Sequence, residues 1–149
     1  MSGDTMRVIS AVQAIAPASL ALTWSDGSKA EVDLSAWLDH PALHSLRDVD
    51  RFRAAELGDW GHSIVWPGDV ELGADALWLE TLSAKGQGDT RAFLEWRMRN
   101  RLSLTKAAEA LGLSRRMIAY YSNGEKKVPK AILLACTGWE MGKGLHQAA

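Results

Sequence analysis

The sequence predicts an α+β N-terminal domain with a small antiparallel sheet, followed by an all-α C-terminal domain. Three observations predict this. Up to Gly88, apolar residues alternate in short runs broken by Gly, Pro and Asp, which is the pattern of strands and hairpins. From Asp89 onward the strand signals stop and apolar residues recur at helical spacing. The charge divides at the same place: residues 1–88 carry 6 Lys+Arg against 13 Asp+Glu, net -7, and residues 89–149 carry 11 against 5, net +6. The domains are therefore drawn at 1–84 and 89–149, with the polar, glycine-rich stretch 85–88 as linker.

In the first domain, Arg7 to Ile15 is mostly apolar or small, Pro17 to Ser19 breaks the run, and Leu20, Leu22 and Trp24 alternate, so paired strands are expected. Ser25-Asp26-Gly27-Ser28 is a turn signal, after which Ala30, Val32 and Leu34 alternate with acids as the next strand. Ser35 is placed to cap a short helix over Ala36 to Leu38, and Pro41 to Leu46 reads as another helical turn. Phe52 to Leu57 and Ser63 to Trp66 read as two more strands. Pro67-Gly68-Asp69 closes the latter hairpin onto Val70 and Leu72, and Ala74 to Leu82 has helical spacing.

In the second domain, Asp89 or Thr90 is placed to cap a helix carrying Phe93, Leu94, Trp96, Arg97 and Met98. Ser103 caps Leu104 to Leu111, Gly112 ends that helix in a left-handed turn, and Ser114 caps the next one. Two short helices joined by a tight glycine turn predict a helix-turn-helix. The recognition helix is expected over 114–122, and on a helical wheel of Arg115 to Ser122 Ile118 and Tyr121 point inward, flanked by Met117 and Ser122, while Arg116, Ala119 and Tyr120 point out with Arg115 at the edge. Guanidinium groups match the paired acceptors of guanine in the major groove, and alanine permits close approach to a thymine methyl. Asn123-Gly124-Glu125-Lys126-Lys127 then turns the chain and offers lysines to phosphates, and Pro129 starts a helix whose Ala131, Ile132, Leu133 and Leu134 seal the core.

The stretch Arg101 to Pro129, with Ala108, Gly112, Ser114, Ile118, Tyr121, Gly124 and Pro129, resembles Cro/C1-type (XRE-like, phage-repressor-like) helix-turn-helix domains. The resemblance implies a lambda-repressor-like all-α domain. It implies base-reading positions at Arg115, Arg116 and Tyr120, joined by Ala119 from the wheel. It also puts Ser103, Met117, Asn123, Lys126 and Lys127 where such domains meet phosphate or sugar. Leu104 stands where the family often has a glutamine that clamps phosphate. Leu20 to Leu34 and Gly61 to Leu72 resemble the bacterial domain-of-unknown-function family 2442, which implies no activity.

The remaining constellations are weaker. His40, His44 and His62 are spaced awkwardly for a metal, with Pro41 between the first two, and no metal or cofactor is expected. Asp48, Asp50, Glu56 and Asp59 form no pair on one face and no nucleophile has a base, so no enzyme is expected. A Gly-x-Gly at residues 86–88 is too little for a phosphate loop. Five of the seven tryptophans fall in the acidic domain and are read as core, with an effector pocket or dimer interface as the alternative. No apolar run spans a membrane, Met1 to Met6 lacks an export pattern, and the single Cys136, read as a small buried side chain, suits a reducing cytoplasm. The function expected is a sequence-specific regulator binding double-stranded DNA as a homodimer, with three roles open for the first domain: dimerisation, sensing of a small effector, or holding a partner protein such as a toxin. The alternatives are an antitoxin that autoregulates its operon, or a protein-interaction module without DNA binding.

Overall fold

The computed structural model describes the backbone of residues 7–148 and the side chains of residues 7–143. Met1 to Met6, the segment without an export pattern, and Ala149 lie outside the described residues. The chain divides between residues 86 and 87 into two compact units, the first mixed α+β and the second helical.

The first unit holds two three-stranded antiparallel sheets where a single one is expected from sequence. β1 (Ile9–Ile15), β2 (Ser19–Trp24) and β3 (Lys29–Asp33) form the first as consecutive hairpins. Leu20, Leu22 and Trp24 alternate inward from β2, and Val32 on β3, opposite Leu20, joins them in one buried face, closed by α2 (Ala74–Ala84). Trp24 donates its indole N–H to Thr81 Oγ1 at 3.1 Å and meets the Trp78 ring edge-on at 5.0 Å. On the outer side of Trp78 the Arg7 guanidinium lies 4.0 Å from the ring centroid. The second sheet comprises β4 (Glu56–Leu57), β5 (Ser63–Trp66) and β6 (Val70–Gly73), with Ile64, Trp66 and Leu72 buried.

Two local expectations fail here. The stretch beginning at Phe52 is not a strand: α1 (Val49–Arg53) takes Phe52, and only Glu56–Leu57 pairs as β4. Asp48 decides it by accepting from Arg51 N at 3.1 Å as the N-cap, while the Phe52 carbonyl accepts the Trp66 indole N–H at 2.9 Å. Ser35 caps nothing. Its own N–H donates to Asp33 Oδ1, and the 3₁₀ turn Trp37–Asp39 starts after Ala36 without a side-chain cap.

The second unit is α3 (Gly88–Arg99), α4 (Leu104–Leu111), α5 (Arg115–Asn123) and α6 (Lys130–Ala148). Phe93, Trp96, Leu104, Ala107, Ala108, Ile118, Tyr121, Val128 and Cys136 form its core. Neither Asp89 nor Thr90 caps α3. Asp89 instead reaches across the fold and accepts from Val128 N at 2.7 Å, and Thr90 is buried. The closing role expected of Ala131 and Leu134 also fails. Both are exposed, Leu134 at 61%, and α6 packs through partly buried Ile132 and Leu133, buried Cys136, and Trp139, whose ring meets Trp96 edge-on at 5.7 Å.

The C-terminal end of α3 is clamped to the middle of α6. Arg99 donates from Nε and Nη2 to Glu140 at 2.8 Å each, and Asn100 Nδ2 adds a third bond at 2.8 Å. The Arg99 bonds, followed by that of Asn100, hold the Glu140 carboxyl well below its usual range, at about 2. Because the folded value is depressed, this stabilisation is complete above about pH 4.5 and is lost as pH falls toward about 2. Glu140→Gln is therefore expected to destabilise by about 1 kcal/mol at neutral pH, a partly solvated pair being worth no more. Urea unfolding of both proteins at a series of pH values should show the gap closing between pH 4.5 and 2.

Candidate nucleic-acid interface

α4 and α5 are joined by Gly112, Leu113 and Ser114. Each boundary has a local cause. Ser103 Oγ accepts from Lys106 N at 3.1 Å and starts α4. Gly112 takes φ 67°, a left-handed turn that a residue with Cβ adopts only under strain, and its N–H returns to the Ala108 carbonyl. Ser114 Oγ accepts from Met117 N at 3.1 Å, so Ser114 is the cap of α5 and the helix itself runs from Arg115.

The inward side of α5 is Ile118, Tyr121 and Ser122, all buried. The outward side carries Arg115 and Arg116, both exposed, with half-buried Tyr120. Ala119 lies between the two sides, half-buried and packed on the core. Met117 and Asn123 are half-buried. Beyond Gly124, at φ 75°, the chain doubles back so that Glu125 N and Lys126 N both donate to the Tyr120 carbonyl. This return sets Lys126 Nζ 4.8 Å from the centroid of the Tyr120 ring, so these two candidate residues are brought together. Lys127 is exposed beside them. Among the described residues none of Arg115, Arg116, Lys126 and Lys127 is paired with a carboxylate. Their charge faces solvent, which is what a polyanion requires.

Ser103 is exposed, with its oxygen already accepting from the backbone, so its hydroxyl hydrogen is what it can offer a ligand. Leu104 is buried in the core, which gives the departure from glutamine a packing cause.

Two arginines of this region escape sequence reasoning. Arg97 sits in the apolar stripe of α3, yet its guanidinium is buried, donating to Ser122 Oγ at 2.8 Å and, through Nε, to the Leu102 carbonyl at 3.2 Å. Arg101 occupies the left-handed position after α3 at φ 53°, where glycine is usual, and is exposed. The Asn-Arg pair at residues 100–101, between two helical periods, is the only sequence signal for it.

The other constellations disperse. His40 Nδ1 accepts from Ala42 N as the cap of the 3₁₀ turn Pro41–Arg47, and Asp48 is spent on α1. Among the described residues no three His, Cys, Asp or Glu side chains gather as a metal site would need, and no helix is long and apolar enough to cross a membrane. Burial pushes the Cys136 thiol up to about 11, consistent with an inert packed side chain.

Residues 9–81 match the family DUF2442, described as a protein of unknown function. No curated protein matches the chain. Among solved structures, the chain is similar to the crystal structure of a "Putative DNA Binding Protein" from Nitrosomonas europaea, with 40% identity over 94% of this chain and 90% of that one, and a TM-score of 0.70.

The strain at Arg101 is measurable. Arg101→Gly should raise stability by about 0.5–1 kcal/mol, the left-handed penalty less the extra flexibility of glycine in the unfolded chain. Thermal unfolding monitored by circular dichroism would show a higher midpoint.

Proposed function

The chain belongs to the same family as the Nitrosomonas europaea protein, and from that premise we propose that it is a sequence-specific DNA-binding transcription regulator of Cro/C1 type. In this reading α4 and α5 are a helix-turn-helix and α5 enters the major groove. The observation that carries it is the division of α5: Ile118 and Tyr121 buried on one side, Arg115 and Arg116 unpaired on the other. Arginines spent on internal ion pairs could not read bases, and these two are free to do so.

Arg115 and Arg116 take guanine edges, and Tyr120, its ring steadied by Lys126, contacts the base or sugar beside them. Ala119 offers its exposed part to a thymine methyl. Ser103, Met117, Asn123, Lys126 and Lys127 hold the backbone on either side, the lysines supplying salt-dependent affinity. A single α5 reads few base pairs, so the active species is a homodimer on half-sites about one helical turn apart. The protein works in the cytoplasm, without cofactor and without catalysis.

Selection from a random duplex library, followed by fluorescence anisotropy across a salt series, tests this. A motif should emerge, and Arg116→Ala should lose roughly 1–3 kcal/mol on that motif and little elsewhere. Lys127→Ala should weaken all sequences alike and reduce the salt slope by about 1. Absence of any selected motif, with Arg116→Ala binding like wild type, would overturn the reading. Sedimentation on the selected duplex should show two protomers, and one protomer alone would remove the homodimer.

A further inference from the structure

Trp60 is 88% exposed and sits at φ 58°, ψ 17°. Trp24, Trp66, Trp78 and Trp96 are buried, so Trp60 breaks the rule that tryptophan here serves the core. A bulky residue in the left-handed region is rare, and a large indole held in water forgoes its burial. Neither holds unless the surroundings impose it, and here they do.

The Trp60 turn is held from both sides. Gly58 N donates to Ser63 O at 2.8 Å, Gly61 N to Gly58 O at 3.1 Å, and His62 N to Asp59 O at 3.1 Å. At Gly61, φ is 75° and a Cβ would run into the backbone carbonyl of Ile9, so the turn is pressed onto β1. The indole is thus presented on a rigid support, the arrangement that lowers the ordering cost of binding.

The same turn borders a cleft of about 530 Å³ over the open face of the second sheet, lined by Leu57, Asp59, Val65 and Glu71 among others. Leu57 is exposed beside it. From Ala54 to Ala84 the chain has six carboxylates and no lysine or arginine. Among the described residues neither Asp59 nor Glu71 is paired with a cation, Glu71 accepting from Ser63 Oγ at 2.7 Å. The two unpaired carboxylates at the cleft disfavour a phosphate there, and Leu57 and Val65 supply apolar lining for side chains.

We infer that Trp60 and this cleft form a docking surface for a partner protein that presents a lysine- or arginine-bearing segment. The cation lies between Asp59 and Glu71 or over the indole, and neighbouring apolar side chains meet Leu57 and Val65. Tryptophan is among the residues most enriched at the few positions that carry most of an interface's binding energy.

The test is selection of a random dodecapeptide phage library on the full-length chain, with counter-selection on Trp60→Gly. That variant removes the indole and relieves the left-handed strain, so its thermal midpoint should not fall. Selected peptides should carry lysine or arginine next to apolar residues. They should bind wild type at least about tenfold more tightly than Trp60→Gly. They should also weaken with Asp59→Asn and with added salt. If no peptide survives counter-selection, or the survivors are neutral or acidic, or Asp59→Asn binds them like wild type, the inference fails. It fails equally if the full-length chain self-associates through Trp60 and duplex DNA dissolves that association, because the occupant is then the basic half of a second copy.

Discussion

The helical unit depends on one buried cation. Arg97, 5% exposed, reaches Ser122 on α5 and the Leu102 carbonyl in the loop before α4, and Ser122 Oγ passes the bond on to the Ile118 carbonyl at 2.7 Å. A guanidinium out of water is tolerable only while its N–H groups stay filled. Rotating α5 or shifting the loop would strand it. The angle at which α5 leaves the core is therefore set by a polar constraint as well as by Ile118 and Tyr121, and that angle aims Arg115 and Arg116 outward.

Around this fixed point, charge is used in three ways. Arg97 is structural and hidden. Arg99 is spent on Glu140, tying α3 to α6 at the surface. Among the described residues Arg115, Arg116, Lys126 and Lys127 are left without carboxylates, and their charge faces solvent. Neighbouring arginines of identical intrinsic chemistry thus acquire different roles from helical phase alone: Arg97 falls on the core side of α3, and Arg99, two residues on, faces α6 at the surface.

The first unit follows the same economy with indoles. Trp24 and Trp66 are buried with acceptors in Thr81 and in the Phe52 carbonyl, and Trp78 is buried through ring contacts with Trp24 and the Arg7 guanidinium, its own N–H finding no acceptor among the described residues. Trp60 has no such place, because Gly58 and Gly61 clamp its turn to the neighbouring strands and leave the ring outside. With Asp59 and Glu71 unpaired among the described residues, the cleft beside it suits cationic side chains and disfavours phosphate.

By itself the sequence determined whatever depends on neighbours along the chain. Ser103 and Ser114 cap their helices because a hydroxyl reaches an amide three residues on. Gly112 and Gly124 turn left-handed because they lack Cβ. Leu20, Leu22 and Trp24 face one way because strand side chains alternate. Only the tertiary structure decided what depends on partners far away: Asp89 leaves its own helix for Val128 N, Phe52 joins α1 beneath Trp66, and Leu134 stays in water while Cys136 is buried. Arg97 belongs there too, because its acceptors come from a loop and from α5, 25 residues away at Ser122. A side chain's local options can be read along the chain, but the choice among them is made by whichever distant donor, acceptor or apolar surface the fold brings within reach.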